Sequence, residues 1–261
     1  IASNDENGDN SRTCIHQPAT CELSIGFVDK ISLSSYDAVH FDARHPAAAV
    51  RLAEKCVKSG IPYSVDVERP REGLKELLAN ARVVICNSNY CNLILGNRKG
   101  DDDKETLDRL RQIIREQASQ AALAVQTLGG RGSCLIRLSD DRDDDDDNEN
   151  ILLQDEDPNV PTVTSHDGAL WCSVWGGCQV VDSTGAGDAF QGGFITALWA
   201  YVAASQKGGD LPMDRHVLAH VMRIATRVAA KKLEAPGARQ GLPYGTDDEP
   251  LQAEFEAMFK L

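Results

Sequence analysis

The stretch VVDSTGAGDAFQGGF spans residues 180–194 and joins a short apolar run to a helix-like pattern. We predict a strand over residues 178–182 and a helix from Ala186 onward, because apolar residues then recur at three- and four-residue spacing. Asp188 therefore lies in the first turn of that helix, directly after three small residues. Free amides and the positive end of the helix dipole favour an anion here, and glycines let the backbone approach it closely.

The residues alone leave two interpretations of Asp188. An Asp near a helix start is commonly a capping carboxylate. Alternatively, the amides of Gly185, Ala186 and Gly187 would stabilise a phosphoryl group in transfer, while Asp188 takes the proton of the attacking hydroxyl. The stretch is neither a dinucleotide fingerprint, because Phe190 replaces the third glycine, nor a Walker loop, because no Lys-Ser/Thr follows the glycines.

The acidic charge of the chain is concentrated in one segment. The net charge of the 261 residues is −13, and residues 140–157 alone hold eleven Asp or Glu against one Arg. A net acidic chain does not favour nucleic acid or anionic membranes as partners, since both need Lys and Arg. We interpret residues 139–159 as a solvated, disordered surface insertion, with a cation- or partner-binding segment as the alternative.

Cysteine usage indicates an intracellular protein. The eight cysteines show no paired CxxC spacing, so we expect reduced, mostly buried thiols. Cys14, His16 and Cys21 offer half of a zinc site at most. A cytoplasmic location is favoured, although organelle targeting stays open because the chain begins at Ile1 rather than Met.

Strands and helices alternate along most of the chain. An α/β fold with a mostly parallel sheet and helices on both faces is therefore predicted, with ligands at the carboxyl ends of the strands. The opening 18 residues form a hairpin whose turn lies at residues 7–10. The predicted strands are 36–43, 62–68, 82–86, 123–129 and 133–138, and the predicted helices are 46–60, 71–80 and about 103–121.

The segment DSTGAGDAFQGGF (182–194) resembles the second signature of the ribokinase (PfkB-type) carbohydrate kinase family, D-T-x-G-A-G-D, with Ser183 in place of Thr. Other segments follow in the order and spacing of that family, and the resemblance covers most of residues 10–242. They are VHFDARHPAAAV, YSVDVERPREGLKELLANARVVIC, VQTLGGRGS and RVAAKKLEAPGARQG. Within the family, VDVERPRE and SRTCIH are most similar to the ketohexokinase branch.

The resemblance implies a ribokinase-like three-layer α/β fold with a small β lid. Residues 1–35 would be a partial lid hairpin and a return to the core, and residues 36–261 the kinase core interrupted by the acidic insertion. A homodimer through the lid is expected. The first strand and the Gly-Gly-Asn sugar motif of the family do not precede the hairpin, so we expect the chain to be a fragment of a longer protein.

The resemblance also implies roles for individual residues. Asp188 would be the base, with Gly185, Ala186 and Gly187 as its anion hole. Arg44 would reach the sugar or phosphate, or else is a surface arginine. The implied nucleotide contacts are Thr127, Gly129, Gly132, Gly237 and Ala238. Asp66 and Glu68 would act on Mg²⁺ through phosphate or water. Asp182 and Thr184 would hold a monovalent cation such as K⁺.

Several of these assignments have structural alternatives. Asp66 and Glu68 would lie on one side of their strand, where they serve either the metal or the neighbouring arginines. Residues 126–132 would also suit a plain hairpin. The family's N-x-x-E motif is altered, because Tyr90 stands at the Glu position after Asn87.

The implied activity is ATP- and Mg²⁺-dependent phosphorylation of a sugar hydroxyl, with a ketohexose such as fructose favoured. A nucleoside kinase of the same family is one alternative, although only 5% of the residues are aromatic. A catalytically inactive scaffold or regulator with the kinase fold is the other. A scaffold does not need a carboxylate beside an anion-binding turn, so the residues favour an enzyme.

Overall fold

The computed structural model describes residues 2–4, 10–12, 21–96, 103–138, 150–205, 210–243 and 247–261. The turn predicted at residues 7–10 lies almost entirely outside these ranges, as do Cys14, His16 and the acidic run 139–149. Strands β1 (Ala2–Asn4) and β2 (Asn10–Arg12) pair antiparallel. The predicted hairpin pairing is therefore present, while its role as a lid stays a prediction.

The first half of the molecule alternates strands and helices as predicted. Helix α4 was not predicted from the sequence; it begins directly after strand β5. The elements are α1 (Ile25–Asp29), β3 (Val39–Phe41), α2 (Pro46–Ser59), β4 (Tyr63–Val67), α3 (Leu74–Leu78), β5 (Val83–Asn87), α4 (Ser88–Leu95), α5 (Asp103–Gln117), β6 (Leu123–Thr127) and β7 (Ser133–Arg137).

The second half adds three strands and three long helices. Strands β8 (Asn150–Leu153), β9 (Val163–His166) and β10 (Ala169–Cys172) precede helices α6 (Ala186–Ala204), α7 (Arg215–Leu233) and α8 (Glu249–Met258). Residues 139–159 were predicted to be a disordered insertion, and strand β8 shows that this prediction is wrong for residues 150–153. It pairs antiparallel with β9, and the turn after it is closed by Asp157, which accepts from the Asn159 amide at 2.9 Å.

The eight-stranded sheet has the order β3-β4-β5-β6-β7-β10-β9-β8. Strands β3 to β6 are parallel, whereas every later neighbouring pair is antiparallel. The expectation of a mostly parallel sheet is therefore wrong, and the sheet is mixed. The short turn between β6 and β7 permits only antiparallel pairing, because a parallel return needs a crossover of a dozen or more residues.

Helices cover both faces of the sheet, which makes three layers. One core lies between the sheet and helices α2 to α5, and the other lies between the sheet and helices α6 to α8. Gly193 allows α6 to approach α7 closely, since a Cβ there would lie 3.0 Å from the Cα of Ala225 and 3.1 Å from the Cβ of Val228. This contact fixes the position of α6, whose first turn carries Asp188.

The strand predicted over residues 178–182 is wrong. The segment forms no sheet ladder, and Val180 is 63% exposed. The amides of Val181 and Asp182 instead donate to the carbonyl of Leu233 at the end of α7, at 2.8 and 3.2 Å. A helix end has unpaired carbonyls, so it supplies the partners that a neighbouring strand would otherwise provide.

The seven cysteines among the described residues are free thiols, and five of them are buried, as expected. None of the helices in the described ranges is both long and apolar enough to cross a membrane.

Candidate active site

The parallel strands bring polar residues to one edge of the sheet. Strands β3, β4, β5 and β6 run side by side, so their carboxyl ends lie together. Asp42 follows β3, Glu68 follows β4, and Asn87 and Thr127 end β5 and β6. Ligands of open α/β sheets bind at this edge.

Asp66 lies on the side of β4 that faces helix α6. Its strand neighbours Val65 and Val67 belong to the opposite core, so the alternation of the strand directs Asp66 toward α6, where Gln191 forms a hydrogen bond with it. Asp66 is only 5% exposed. Burial, together with the negative charges of Glu68, Asp188 and Asp42, raises its pKa to about 7.

Asp188 lies in the first turn of α6, as predicted, and its side chain is exposed. Gly185 precedes the helix with φ of +78°, a left-handed conformation that favours glycine. A Cβ at Gly187 would meet no heavy atom within 4 Å, so the space beside this turn is open. The amide of Ala186 donates to the carbonyl of Ser183 at 3.3 Å, so this predicted anion-hole amide already has a long hydrogen bond within the turn.

The turn before α6 packs against the loop after α7. A Cβ at Gly185 would lie 3.0 Å from the carbonyl oxygen of Ala238 and 3.1 Å from its Cα. Asp182 joins the two segments, because its Oδ1 accepts from the Thr184 amide at 2.9 Å and its Oδ2 accepts from the Gly237 amide at 2.7 Å. Two segments that the sequence assigned to separate roles, the base turn and the nucleotide loop, therefore lie in contact.

These hydrogen bonds stabilise the charged form of Asp182. The amide and side chain of Thr184, together with the amide of Gly237, lower the pKa of Asp182 to about 2, and the charge of Lys232 adds to this effect. Lys232 is fully buried, and its Nζ donates to the carbonyl oxygens of Asp182 and Ala235 at 2.7 and 3.2 Å.

Arg44 is held by a neighbouring carboxylate. Its Nε lies 3.2 Å from Asp42 Oδ2, and both side chains are more than half exposed, at 59% and 61%. Ala43 and His45 adopt positive φ of 55° and 52°, which is unusual for residues with a Cβ. Such strain is concentrated at functional sites in many proteins, and this loop lies at the ligand edge of the sheet.

Residues 127–132 form a tight hairpin turn. The Leu128 amide donates to the Gly132 carbonyl at 2.8 Å, and residues 129–131 form one turn of 3₁₀ helix. Gly132 is required by packing, since a Cβ there would lie 2.0 Å from the carbonyl oxygen of Cys172. Around Gly129 there is open space, so a ligand has access to its backbone. Contact of Thr127, Gly129 and Gly132 with a nucleotide stays a prediction.

The altered N-x-x-E segment has a structural role. Asn87 caps helix α4 by accepting from the Tyr90 amide at 2.9 Å. Tyr90 is 1% exposed, and its hydroxyl donates to Gln117 Oε1 at 2.6 Å. Burial raises the pKa of Tyr90 to about 12. The side chain at the family's Glu position therefore lies in the core.

The carboxylates at this edge suit Mg²⁺ that arrives with phosphates. Among the described residues, no group of three or more His, Cys, Asp or Glu side chains is arranged to hold a metal by itself. The pKa of Asp66 is raised mainly by burial and additionally by the nearby carboxylates, so a cation that arrives here would favour its charged form. Mg²⁺ commonly binds through one or two carboxylates while it keeps water and substrate phosphates as ligands, so Asp66 and Glu68 fit that mode.

Three residues at this site were not singled out from the sequence. Gln191 lies one helical turn after Asp188, a spacing that could have indicated it. His40 forms a 2.9 Å hydrogen bond with Ser64 across β3 and β4. Nothing in the sequence distinguishes Lys232 from its neighbour Lys231, because only the packing of α7 buries one and exposes the other.

A family model matches the segment that contains the site. Residues 173–244 match the model of the pfkB family carbohydrate kinases. Over this segment, the chain is similar to the pfkB family carbohydrate kinases. The chain is also 44% identical over 69 residues to an uncharacterized sugar kinase of Archaeoglobus fulgidus, a match that covers 26% of this chain and 22% of that protein. The predicted resemblance to this family is thus confirmed over residues 173–244, and nothing in these matches is specific to ketohexokinases.

Solved structures confirm a ribokinase-like fold. The ribokinase of Giardia lamblia superposes with a TM-score of 0.62 at 17% identity, covering 86% of this chain and 59% of that one. Arabidopsis thaliana ribokinase, solved with ribose and ATP, gives 0.57 at 17% identity and coverages of 92% and 60%. A Vibrio cholerae fructokinase, solved with fructose, ADP and potassium, gives 0.57 at 17% identity and coverages of 91% and 64%. The chain thus spans less than two thirds of the length of each.

Proposed function

We propose that the protein is an ATP-dependent kinase that phosphorylates a sugar hydroxyl, with Asp188 as the general base. The observation that carries this proposal is the exposed Asp188 in the first turn of α6, beside the open backbone at Gly187 and within electrostatic reach of buried Asp66. The pfkB match over residues 173–244 includes this turn.

In this mechanism the chain positions the reactants and moves one proton. The carboxylate of Asp188 accepts the proton of the attacking hydroxyl as that oxygen bonds to the γ-phosphorus and the bond to ADP breaks. The amides of Gly185 and Gly187 stabilise charge on the transferred group. Bound Mg²⁺ would neutralise phosphate charge, and Asp66 and Glu68 would hold it through water.

The remaining contacts are proposed from the same geometry. Gly237 and Ala238 lie against the base turn, so a nucleotide bound at their loop would present its phosphates to α6. Gly129, at the open hairpin turn, would contact the nucleotide from the sheet side, together with Thr127. Arg44 would contact the sugar or a phosphate once it exchanges Asp42 for the substrate.

A ketohexose such as fructose is the proposed acceptor, on the resemblance of VDVERPRE and SRTCIH to ketohexokinases. The hairpin of β1 and β2 is proposed as part of a lid that excludes water and pairs two subunits.

The test is ADP release by the full-length protein with Mg-ATP and a panel of fructose, ribose, other ketoses and nucleosides. Turnover on a sugar supports the proposal, and turnover on nucleosides alone replaces it with the nucleoside kinase. Binding of ATP without turnover on any acceptor would contradict the kinase proposal and support a catalytically inactive scaffold. Omitting the acceptor controls for ATP hydrolysis.

A further inference from the structure

Lys232 is a buried cation at the junction of the two loops beside Asp188. It lies in the last turn of α7, is 0% exposed, and donates only to backbone oxygens, those of Asp182 and Ala235. No carboxylate among the described residues lies within ion-pair distance of its Nζ. An ammonium without water is costly to bury unless hydrogen bonds and nearby negative charge replace its solvation.

The compensating charge is the carboxylate of Asp182. The ammonium binds the carbonyl of Asp182, while the carboxylate of the same residue accepts from the amides of Thr184 and Gly237. Lys232 thus interacts with Asp182 in two ways. Its ammonium binds the backbone carbonyl of Asp182, and its charge is compensated by the side-chain carboxylate of the same residue. Together they join the segment 182–185 to the segment 235–238.

This arrangement determines where the base turn lies. Gly185 is in contact with Ala238 across the same junction, with no room for a Cβ between them. Helix α6 begins directly after Gly185, so the height of Asp188 above the sheet depends on how the two loops are aligned. Removal of the ammonium would leave two partly buried carbonyl oxygens, those of Asp182 and Ala235, without this donor.

The junction does not fit a free monovalent cation in addition. Carbonyl and carboxylate oxygens from two loops are the donors that such an ion would need. Here the two carbonyls already bind an ammonium, and each Asp182 carboxylate oxygen already accepts an amide. The oxygens of Asp182 that were expected to bind K⁺ therefore already accept hydrogen bonds from the chain itself.

We propose that Lys232 is a positioning residue, an internal ammonium that takes the place of a monovalent ion between these loops and makes nucleotide binding independent of K⁺. The nucleotide part of this proposal rests on the proposed function, whereas the joining of the loops does not. Lys55 shows that the chain uses the same device elsewhere, since its Nζ binds the carbonyls of Val28, Asp29 and Ile31 at the end of α1.

The test measures ADP affinity by calorimetry and the thermal unfolding midpoint, both in KCl and in choline chloride. For the full-length wild-type protein, we expect the unfolding midpoint to be the same in both salts and the ADP affinity to agree within about two-fold. The binding free energy of a two-fold change is smaller than that of one typical hydrogen bond. Lys232→Ala should weaken ADP binding at least about ten-fold in choline, because a charge-assisted hydrogen bond is lost. K⁺ or NH₄⁺ should restore part of that loss, because the substitution opens room for an ion.

Lys231→Ala is the matched control, since it removes an exposed ammonium one residue away that pairs with Glu234 at 2.7 Å. It should leave affinity and cation response unchanged. If Lys232→Ala does not fold, Lys232→Arg keeps the charge and should keep K⁺ independence. The proposal is overturned if wild-type ADP affinity falls several-fold without K⁺, or if Lys232→Ala binds ADP as the wild type does.

The two proposals fail in different ways. If the wild type binds no ADP, the kinase proposal fails, and the unfolding midpoints still test the loop junction: K⁺ should raise the midpoint of Lys232→Ala and not that of the wild type. If instead the wild type phosphorylates a sugar but requires K⁺, the kinase proposal stands and the internal ammonium is rejected.

Discussion

Two carboxylates at this site have opposite environments. Asp66 is buried between β4 and α6, and its pKa is raised to about 7, whereas Asp188 is exposed at the start of α6. An exposed carboxylate beside free amides is suited to accept a proton from a bound hydroxyl. A buried one that lacks a cation is suited to respond to the arrival of Mg²⁺. Both residues were identified from the sequence, but their environments follow only from the packing of α6.

Asp66 should make the stability of the protein depend on pH. Its folded-state pKa of about 7 lies above the ordinary value of 3.8, so its contribution is complete below about pH 4 and is lost as the pH rises through about 7. The loss is at most about 4 kcal/mol, since one pH unit between the two values is worth about 1.4 kcal/mol. Urea unfolding at several pH values should show a flatter profile for Asp66→Asn than for the wild type.

The control for Asp66 is Glu116→Gln, which changes an exposed carboxylate on α5 that accepts from Gln112. It should leave the pH profile as in the wild type. A profile of Asp66→Asn that matches the wild type between pH 4 and 7 would contradict the assigned environment of Asp66.

At the scale of elements, the start of α6 was predictable and the segment before it was not. Three small residues followed by helical spacing of apolar residues indicate a turn into a helix. The apolar residues within 178–182 are also typical of a strand. Only the position of the end of α7 shows that the amides of Val181 and Asp182 donate to the Leu233 carbonyl instead. Helix α4 was missed for a related reason, because Asn87 was interpreted through a family motif rather than as a helix cap.

The start of α6 should tolerate an added methyl group at Gly187 but not at Gly185. Gly185→Ala places a Cβ about 3 Å from Ala238 at a φ of +78° and should lose roughly 1–3 kcal/mol of stability. Gly187→Ala meets open space within the helix and should be neutral or stabilising, by up to about 1 kcal/mol. Chemical unfolding of the two variants measures both. Equal effects would contradict the described turn.

Helix α8 is tied to α7 by a buried ionic network. Glu254 accepts from Arg223 at 2.9 Å and is hydrogen-bonded to His220 at 2.7 Å, and all three residues are less than 10% exposed. Glu254→Gln leaves the Arg223 charge unpaired and should cost about 3 kcal/mol. Glu256→Gln, on the exposed side of α8, should change stability by less than about 0.5 kcal/mol. A cost below 1 kcal/mol for Glu254→Gln would contradict the network.

At the scale of the whole molecule, the sequence predicts the parallel half of the sheet better than the antiparallel half. Strands β4, β5 and β6 are buried along almost their whole length; β5 and β6 are mostly apolar, whereas β4 also contains Ser64 and Asp66. Strands β8 to β10 are short, follow an acidic run and contain polar residues such as Ser165 and His166. None of the three was predicted as a strand from its local sequence; β10 pairs with β7, β9 with β10 and β8 with β9.

This asymmetry should appear in amide hydrogen exchange. The central strand β5 is buried on both faces, with Val83, Val84 and Ile85 at most 2% exposed, whereas the edge strand β8 includes Ile151, which is 58% exposed. Amides of β5 should therefore exchange last and those of β8 among the first of the sheet. Exchange followed by mass spectrometry measures this order, and equal protection of β8 and β5 would contradict the sheet order described.

The central claim is that Asp188 is the base of a phosphoryl transfer, and one measurement tests it most directly. The rate of ADP release by the full-length protein, with Mg-ATP and its best acceptor at saturation, is compared among the wild type, Asp188→Asn and Glu249→Gln. Glu249 is an exposed acid in the first turn of α8, so it matches Asp188 in setting. We predict a fall of about 10²–10⁴ in kcat for Asp188→Asn, with ADP still bound, and no change for Glu249→Gln. A folded Asp188→Asn that keeps the wild-type kcat would contradict the account.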